Sequence, residues 1–341
     1  MRSAAALLLV LVPCSEAAAA PQVEWALHRT ADGAHPDGLE QAWLWQMNRA
    51  RQDPAAEGAR LPALDDPLVQ LSYDVFATDL DLLEAELAAL PPSPPAAFDR
   101  RLWTASRDHA QAMIDADAAF VPGQLDRILP AGFVYPSIGA VAGNAYGFAA
   151  NPVHGHAAWA ANWGAGPGGM ADGRPNRAIL LGALSNVGIA VLPDPDAGDL
   201  LGPLVAVASH ADANPLFADH HDRFLVGTVW EDLDGDGGYD PGEGLGGVGV
   251  VPDAGGFFAV TAAGGGFAIP VTSPGTFQVA FAGAGVPARV RQVTVGEDSV
   301  LVDYQVPEPS PPLAGLAAAG ALAMLARRAG SARPVCGGSP R

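Results

Sequence analysis

The hydrophobic periodicity of this sequence changes near residue 223. Upstream, apolar residues recur at helical spacing, as in Leu39, Trp43, Met47 and Ala50. Downstream, short apolar runs cover residues 224–230, 248–251, 257–261, 267–271, 276–281, 290–295 and 300–306. Strand-length runs at this spacing, broken by Gly, Pro and Asp, are typical of antiparallel β-sandwiches. We therefore expect an α+β domain over residues 21–222 and a small all-β sandwich domain over residues 223–305.

Length, charge and cysteine content narrow the possibilities further. A chain of 341 residues can hold about two domains, since single cores rarely grow past about 250 residues. The 37 acidic residues outnumber the 18 Lys and Arg, and the formal net charge of −19 repels nucleic-acid phosphates and attracts divalent cations. Cys14 and Cys336 lie in terminal segments, so we expect neither disulfides nor thiolate metal sites in the folded region. Nucleic acid is not an expected partner.

The first region is expected to contain helices and a small sheet. Helices are predicted over residues 39–52, 73–90 and 98–119. The first should end at Asp53-Pro54, because the residue before a proline avoids the helical conformation. On the third helix, His109 falls on the apolar stripe and is expected to point inward. The apolar run 187–191 has the character of a strand.

The most specific chemical signal is the acidic segment of residues 232–243. Its side-chain oxygens fall at positions 1, 3, 5, 9 and 12 with Gly237 at position 6, which is the spacing of a twelve-residue calcium loop. The predicted Ca²⁺ ligands are Asp232, Asp234, Asp236, the Gly238 carbonyl, Asp240 and Glu243. Carboxylates this close repel one another unless a cation offsets them, and a solvated acidic turn is the alternative. Because strands and not helices flank the loop, the ion is expected to stabilise the β domain and not to trigger a conformational change.

The N-terminal residues have the pattern of a secretory signal peptide. Arg2 precedes an apolar run over residues 4–12, and the small residues 17–20 suit cleavage by signal peptidase. We therefore expect signal peptidase to remove residues 1–20. A short buried helix is the alternative interpretation.

The C-terminal residues have a second, distinctive order. Val306-Pro307-Glu308-Pro309 precedes an uncharged hydrophobic span over residues 313–326, and Arg327-Arg328 follows. This order resembles the PEP-CTERM sorting signal of Gram-negative bacteria, which implies an exosortase-type processing enzyme as a partner of residues 306–341. It also implies export through the inner membrane to the cell surface or the exterior. A transmembrane helix of 14 residues would cover only about 21 Å of the roughly 30 Å hydrocarbon layer, so we expect membrane anchoring to be transient.

Three segments of the first region resemble one family in their order along the chain. They are Met47 to Pro54, Asp108 to Met113, and Asp126 to Phe133. Together they resemble the bacterial extracellular branch of the CAP family, also called SCP-like or allergen V/PR-1-like, over about residues 39–215. The resemblance implies an α-β-α sandwich. It also implies a central cleft with two histidines and two acidic residues, which sometimes binds a divalent metal.

Most of the cleft positions of that family are not retained. His109 matches the first histidine. Phe120-Val121-Pro122 replaces the usual Phe-Ser-His, Gly143-Asn144-Ala145 replaces Gly-Glu-Asn, and the segment 174–180 lacks the histidine of Gly-His-Arg. One imidazole is too few for a catalytic metal, which normally has about three protein ligands. We therefore expect a non-catalytic cleft, with His109 either a hydrogen-bonded core residue or part of a residual pocket.

Other histidines and two tryptophans are further candidates for a binding site. His154 and His156 form a His-x-His pair that can chelate one ion, and His210, His220 and His221 could join them, but no carboxylate stands at a fixed spacing. Trp159 and Trp163, four residues apart on a predicted helix, are expected to belong to the core.

The β region resembles a carboxypeptidase-regulatory-like or adhesin B-type module through Gly227–Trp230 and Pro274–Phe277. Together these patterns predict an exported, surface-retained CAP-like binding or adhesive protein whose β domain is stabilised by calcium. Its ligand would be an extracellular protein, lipid or polysaccharide. The alternative is a secreted metal-dependent hydrolase acting on peptide or cell-wall substrates through a histidine-lined cleft, with His109 as the candidate catalytic residue.

Overall fold

In the part of the chain that the structure describes, the helices lie before residue 223 and most strands lie after it. The computed structural model describes residues 23–307 except 195, 197 and 199. Its α-helices are α1 (Gly38–Gln52), α2 (Pro54–Arg60), α3 (Pro67–Phe76), α4 (Leu80–Ala88), α5 (Arg100–Asp115), α6 (Pro152–Ala161) and α7 (Pro175–Leu180). The strands of the first region are β1 (Val23–Glu24), β2 (Ala97–Phe98), β3 (Val141–Ala149), β4 (Asn186–Pro193) and β5 (Leu204–Ala211). The later strands are β6 (Phe224–Glu231), β7 (Gly249–Pro252), β8 (Phe257–Val260), β9 (Gly266–Pro270), β10 (Gly275–Gly283), β11 (Val286–Val295), β12 (Val300–Leu301) and β13 (Tyr304–Val306).

A four-stranded sheet with helices on both faces forms the first region. Its strand order is β2-β4-β5-β3, with β2 parallel to β4 and the other pairs antiparallel. Successive side chains of a strand point to opposite faces. On one face, Ile189 of β4 packs in the same apolar cluster as Met47 of α1 and Trp159 of α6. On the other face, Val207 of β5 packs with Met113 of α5. The predicted α+β class is confirmed.

The segment from Asn48 to Pro54 connects several elements at once. The amide of Asn48 pairs with the backbone of Ala96 beside β2, donating to its oxygen (3.0 Å) and accepting from its nitrogen (2.8 Å). Arg51 is fully buried and donates to the Leu180 oxygen at the end of α7 (2.8 Å). Asp53 ends α1, as predicted, and its carboxylate caps α2. The polar residues of this motif therefore hold the helical layer together.

The predicted helix over residues 73–90 is wrong, because the structure has two helices there. Ala77 adopts a left-handed conformation (φ 51°) that ends α3, and the carboxylate of Asp79 accepts from Leu82 N at the start of α4. The third predicted helix is shorter at both ends and corresponds to α5. Trp163 lies beyond the end of α6, although Trp159 is buried in the core as expected.

Two facing sheets enclose a single apolar core in the second region. One sheet has the order β1-β8-β7-β10-β11, and the other joins β9, β6, β12 and β13. Phe277, Val279 and Phe281 alternate along β10 and point into the core, opposite Leu225 and Val229 of β6. The prediction of a purely antiparallel sandwich is wrong, because some strand pairs are parallel. β12 and β13 lie parallel to β6 because the chain returns to β6 only after forming the opposite sheet, and β1 lies parallel to β8.

Strand β6 joins the two regions because one of its faces packs in the sandwich core and the other packs against residues of the first region. Leu225 and Val229 face the sandwich core, whereas Phe224 and Val226 pack in a second cluster with Trp25. On the same outer face, the amide of Gln41 on α1 donates to the Thr228 hydroxyl at 2.7 Å. A continuous apolar run is typical of a strand that is buried on both sides. The described residues up to Val306 accordingly form one compact unit.

Both predicted targeting segments lie outside the described residues. These are the signal peptide at residues 1–20 and, beyond Pro307, the sorting signal with its hydrophobic span at 313–326. Within residues 23–307, apart from the three omitted positions, no helix has the length and apolar character needed to cross a membrane.

Candidate functional site

The acidic loop after β6 brings three of its carboxylates together. Oxygen atoms of Asp232, Asp234 and Asp236 lie within 4.8 Å of one another. Ligands held at about 2.3–2.6 Å around one Ca²⁺ lie at most about 5 Å apart, so this spacing fits a calcium ion. Asp234 and Asp236 are exposed, which leaves an ion access from solvent.

The loop backbone curls around the carboxylate of Asp232. Gly235 N donates to one of its oxygens (2.8 Å), and Gly237 N donates to the other (3.1 Å). Both glycines have positive φ (81° and 78°), and nothing lies within 4 Å of the position of a Cβ at either residue. The left-handed backbone, which favours glycine, therefore explains these two residues. The turn keeps the carboxylate of Asp232 close to those of Asp234 and Asp236.

The remaining predicted ligands have other partners in the structure. The Gly238 oxygen accepts from Trp230 Nε1 (3.1 Å), which leaves its second lone pair free. Glu243 is buried, and its two oxygens accept from Leu233 N and Asp240 N, each at 2.8 Å. Glu243 thus closes the base of the loop. Of the six predicted ligands, the structure brings three carboxylates into one cluster.

The pKa of Asp240 is shifted by burial and by the negative charge of the loop. Burial raises its pKa above the usual value, and the carboxylates of Asp236 and Glu243 raise it further. A carboxylate surrounded by others holds its proton more tightly because the charged form is repelled. A divalent cation at the cluster would reverse this effect. The donor set and its charge therefore fit a hard cation such as Ca²⁺.

The loop packs against helix α1 of the first region. Tyr239 is buried, its hydroxyl donates to the Gly264 oxygen (2.9 Å), and its ring lies 6.5 Å from that of Trp45 on α1. A Cβ at Gly38, the first residue of α1, would come within 3.2 Å of Gly242 N. The acidic loop is therefore held on one side by β6 and on the other by α1.

His109 is buried on α5, as predicted, and lines a small pocket. The pocket has a volume of about 380 Å³ and is formed mainly by the segment 119–126. Phe120 at this pocket is 84% exposed. Among the described residues, His109 Nδ1 has no hydrogen-bond partner. The expectation of a hydrogen-bonded core histidine is therefore not met at this nitrogen, and the geometry favours a pocket position.

Gln124 occupies the space next to Gly143 in this region. Its amide donates to the backbone oxygens of Asn144 (3.2 Å) and Ala208 (3.0 Å). A Cβ at Gly143 would lie 2.5 Å from the Gln124 amide. A larger residue at position 143 would therefore displace Gln124. The next residue, Asn144, stands where the family resemblance implies a glutamate, and its amide donates to the backbone and side-chain oxygens of Asn176, each at 3.0 Å.

His154 and His156 do not face a common site. Two residues apart on α6, they are rotated by about 200° around the helix. His154 Nε2 lies 3.2 Å from the Ser72 hydroxyl, and His156 Nε2 lies 2.9 Å from Glu57 Oε1. The idea that this pair chelates one ion is therefore wrong, because it assumed an alternating arrangement and the residues are helical. His210 is buried on β5, and neither of its ring nitrogens has a partner among the described residues.

A buried ionic network was missed by the sequence reasoning. Glu57 on α2 accepts hydrogen bonds from Arg49 on α1 (2.9–3.1 Å) and pairs with His156 on α6. The side chains of Glu57 and His156 are each only 1% exposed. The network links three helices around the aromatic core. No local pattern indicates it, since Glu57 and His156 are 99 residues apart.

We predict that His109 is neutral at physiological pH. Burial, together with the nearby charge of Arg127, lowers its pKa to about 4. NMR titration of the imidazole should therefore show no protonation above about pH 5. Arg127→Gln should raise the pKa, because it removes a positive charge. Arg107→Gln, on the exposed side of the same helix, is the control, and a His109 transition near pH 6.5 would contradict this assignment.

The chain was compared with known protein families and with curated proteins. No family model matches the chain, and no curated protein matches it.

Proposed function

We propose that this chain is an exported surface protein of the CAP-like class that binds an extracellular ligand and whose β domain is stabilised by Ca²⁺. The observation that carries the proposal is the cluster of Asp232, Asp234 and Asp236 oxygens within 4.8 Å of one another. Oxygen-only ligands in a short loop suit calcium, and extracellular loops of moderate affinity are occupied where calcium is millimolar.

The fold of the first region supports the CAP-like part of the proposal. Helices lie on both faces of its sheet, and the motif from Asn48 to Pro54 links α1, α2 and α7. The pocket beside His109, with exposed Phe120, offers one place for a ligand. The proposed export and surface retention are supported by the order of charged, apolar and small residues at the two ends of the sequence.

The pocket beside His109 has few side chains that could hold a metal, which favours a binding role over metal-dependent hydrolysis. His109 and Asp126 are the titratable side chains that line it, whereas a catalytic zinc site normally uses about three protein ligands. Two of the other candidate histidines have partners elsewhere, His154 at Ser72 and His156 at Glu57. If His109 were nonetheless catalytic, His109→Ala would abolish a hydrolytic activity measurable on peptide or cell-wall substrates.

The calcium proposal predicts a specific gain in stability. With a Kd of about 10⁻⁴ to 10⁻³ M, 10 mM Ca²⁺ should add roughly 1.4 to 2.7 kcal/mol to the unfolding free energy. This gain corresponds to an increase in melting temperature of roughly 3 to 10 °C over the value in chelator. Differential scanning calorimetry of the full chain measures it, with Mg²⁺ as the comparison ion.

Two variants separate the site from general ionic effects. Asp234→Asn combined with Asp236→Asn should remove most of the shift caused by Ca²⁺, because it removes two of the three clustered charges. Asp298→Asn, an exposed residue of the same region, should leave the shift unchanged. An equal shift in all three proteins would overturn the assignment of calcium to this loop.

A further inference from the structure

Strand β11 forms a long open edge of the five-stranded sheet. It runs over ten residues, Val286–Val295, and pairs with β10 on one side. On its other side, no strand of the described part of the chain is hydrogen-bonded to it. Val290, near the middle of the strand, is 60% exposed. Unpaired edges of this length are places where another strand can be added.

The pairing of β10 with β7 determines which backbone groups of β11 face away from β10. Asp253, which follows β7, donates its N–H to the Gln278 oxygen (2.9 Å), and Gln278 N donates to the Asp253 carboxylate (2.9 Å). Gln278 therefore turns its backbone polar groups towards β7, and its cross-strand partner Gln292 turns away from β10. By alternation, the outward N–H and C=O groups belong to Ala288, Val290, Gln292 and Thr294.

These outward groups are accessible and lack backbone partners. Ala288, Val290, Gln292 and Thr294 are exposed. Outside the ladder with β10, no backbone hydrogen bond joins them to any residue that the structure describes. A ladder of donors and acceptors is therefore available along about four residue pairs, which is the arrangement that an added strand requires.

The charge of this hairpin differs from that of the whole chain. Residues 275–295 contain Arg289 and Arg291 and no acidic residue, although the chain carries a net charge of −19. The two arginines occupy alternate positions, so their side chains leave the strand on the same face. The edge therefore has two like charges spaced to meet alternate residues of a neighbouring strand.

Charge complementarity distinguishes between two occupants of this edge. If a second copy of the chain paired through β11 in antiparallel register about Val290, Arg289 of one copy would lie opposite Arg291 of the other. Like charges directly opposite each other destabilise a pair of strands. An extended segment with acidic residues at alternate positions would instead meet both arginines with opposite charge.

We propose that the outer edge of β11 binds an extended acidic segment of a partner protein as an added β-strand. Backbone hydrogen bonds to Val290 and Gln292 supply affinity, and Arg289 and Arg291 select acidic residues. This interaction goes beyond the proposed calcium-stabilised surface function, because it identifies a surface and the chemistry of its partner.

The test uses a fluorescently labelled peptide of ten alternating Glu and Thr residues, acetylated and amidated. Its binding to the full chain is measured by fluorescence anisotropy in buffer containing Ca²⁺. The corresponding peptide of Lys and Thr is the control. We expect the acidic peptide to bind saturably at low ionic strength, and to bind at least about tenfold more tightly than the basic one.

Two variants test the backbone and the charge separately. Val290→Pro removes an outward N–H and leaves the ladder to β10 intact, since proline is tolerated on the solvent side of an edge strand. It should weaken peptide binding at least about tenfold with little change in melting temperature. Arg289→Glu combined with Arg291→Glu should reverse the preference in favour of the basic peptide, even if Val290→Pro fails to fold.

Two outcomes would overturn the proposal. One is equal binding of the acidic peptide to wild type and to both variants, which would place the peptide elsewhere. The other is a concentration-dependent dimer that Val290→Pro abolishes, with no binding of the acidic peptide, which would make a second copy the occupant of this edge.

Discussion

The Glu57→Ala variant is expected to lose roughly 3 to 5 kcal/mol of unfolding free energy. Glu57 is almost fully buried and pairs with Arg49 and His156. Removing its carboxylate leaves a buried imidazole and a guanidinium without their acceptor, together with a small cavity. Breaking one partner of a buried ionic network is more damaging than the net stabilisation that the intact network provides. Chemical denaturation at pH 7 measures the loss.

Glu84→Ala is the matched control for this prediction. Glu84 lies on the neighbouring helix α4 and is exposed. Its replacement should change the unfolding free energy by no more than about 0.5 kcal/mol. If Glu57→Ala were as stable as Glu84→Ala, the network would not hold α1, α2 and α6 together.

Acidification gives a second readout of the same network. Burial alone would raise the pKa of Glu57, but the hydrogen bond and charge of His156 and the charge of Arg49 outweigh it and hold the pKa at about 2. Because the folded value lies below the ordinary 4.5, the stabilisation is complete above pH 4.5 and is lost as the pH falls towards 2. The wild type should therefore lose stability more steeply than Glu57→Ala across this range.

The Gly188→Ala variant is expected to lose at least about 3 kcal/mol, at the upper end of the range for overpacked cores. A Cβ at Gly188 on β4 would lie 1.9 Å from the backbone nitrogen of Trp103 and 2.1 Å from the carbonyl carbon of Leu102. Both atoms belong to the backbone of α5, so no side-chain rotation relieves the clash. The helix must move away from the sheet, which also strains the 2.7 Å hydrogen bond from Ser106 to the Gly188 oxygen.

The control for this substitution is Gly256→Ala. Nothing lies within 4 Å of a Cβ at Gly256, so the change in unfolding free energy should be less than about 1 kcal/mol. Thermal and denaturant unfolding of the two variants would measure the difference. Similar stabilities for both proteins would show that α5 is not fixed against β4.

Much of the β region was predictable because its strands alternate or form continuous apolar runs. Phe277, Val279 and Phe281 repeat with the period of a strand, and β10 contains all three. The parallel return of β12 and β13 to β6 was not predictable, since strand direction depends on the path of the chain between them. The break between α3 and α4 was missed because a left-handed Ala77 leaves no glycine signal.

At the candidate site too, contacts within one loop were predictable, whereas contacts between residues distant in the sequence were not. The spacing of Asp232, Asp234 and Asp236 lies within one loop, so the sequence indicates the cluster directly. The contact between Gln124 and Gly143, and that between Glu57 and His156, join residues far apart in the chain. Such contacts depend on tertiary packing and leave no periodic pattern. The ion proposed for the loop remains a prediction from its oxygens and charge.

Calorimetric titration of Ca²⁺ into the metal-free protein tests the central claim most directly. We predict saturable binding of one Ca²⁺ per chain with a Kd between about 10⁻⁴ and 10⁻³ M. The Asp234→Asn and Asp236→Asn double variant should bind at least about tenfold more weakly, because affinity follows the number of charged ligands. Absence of saturable binding to the wild type, or unchanged affinity in the double variant, would contradict a calcium site in the loop that joins β6 to the rest of the sandwich.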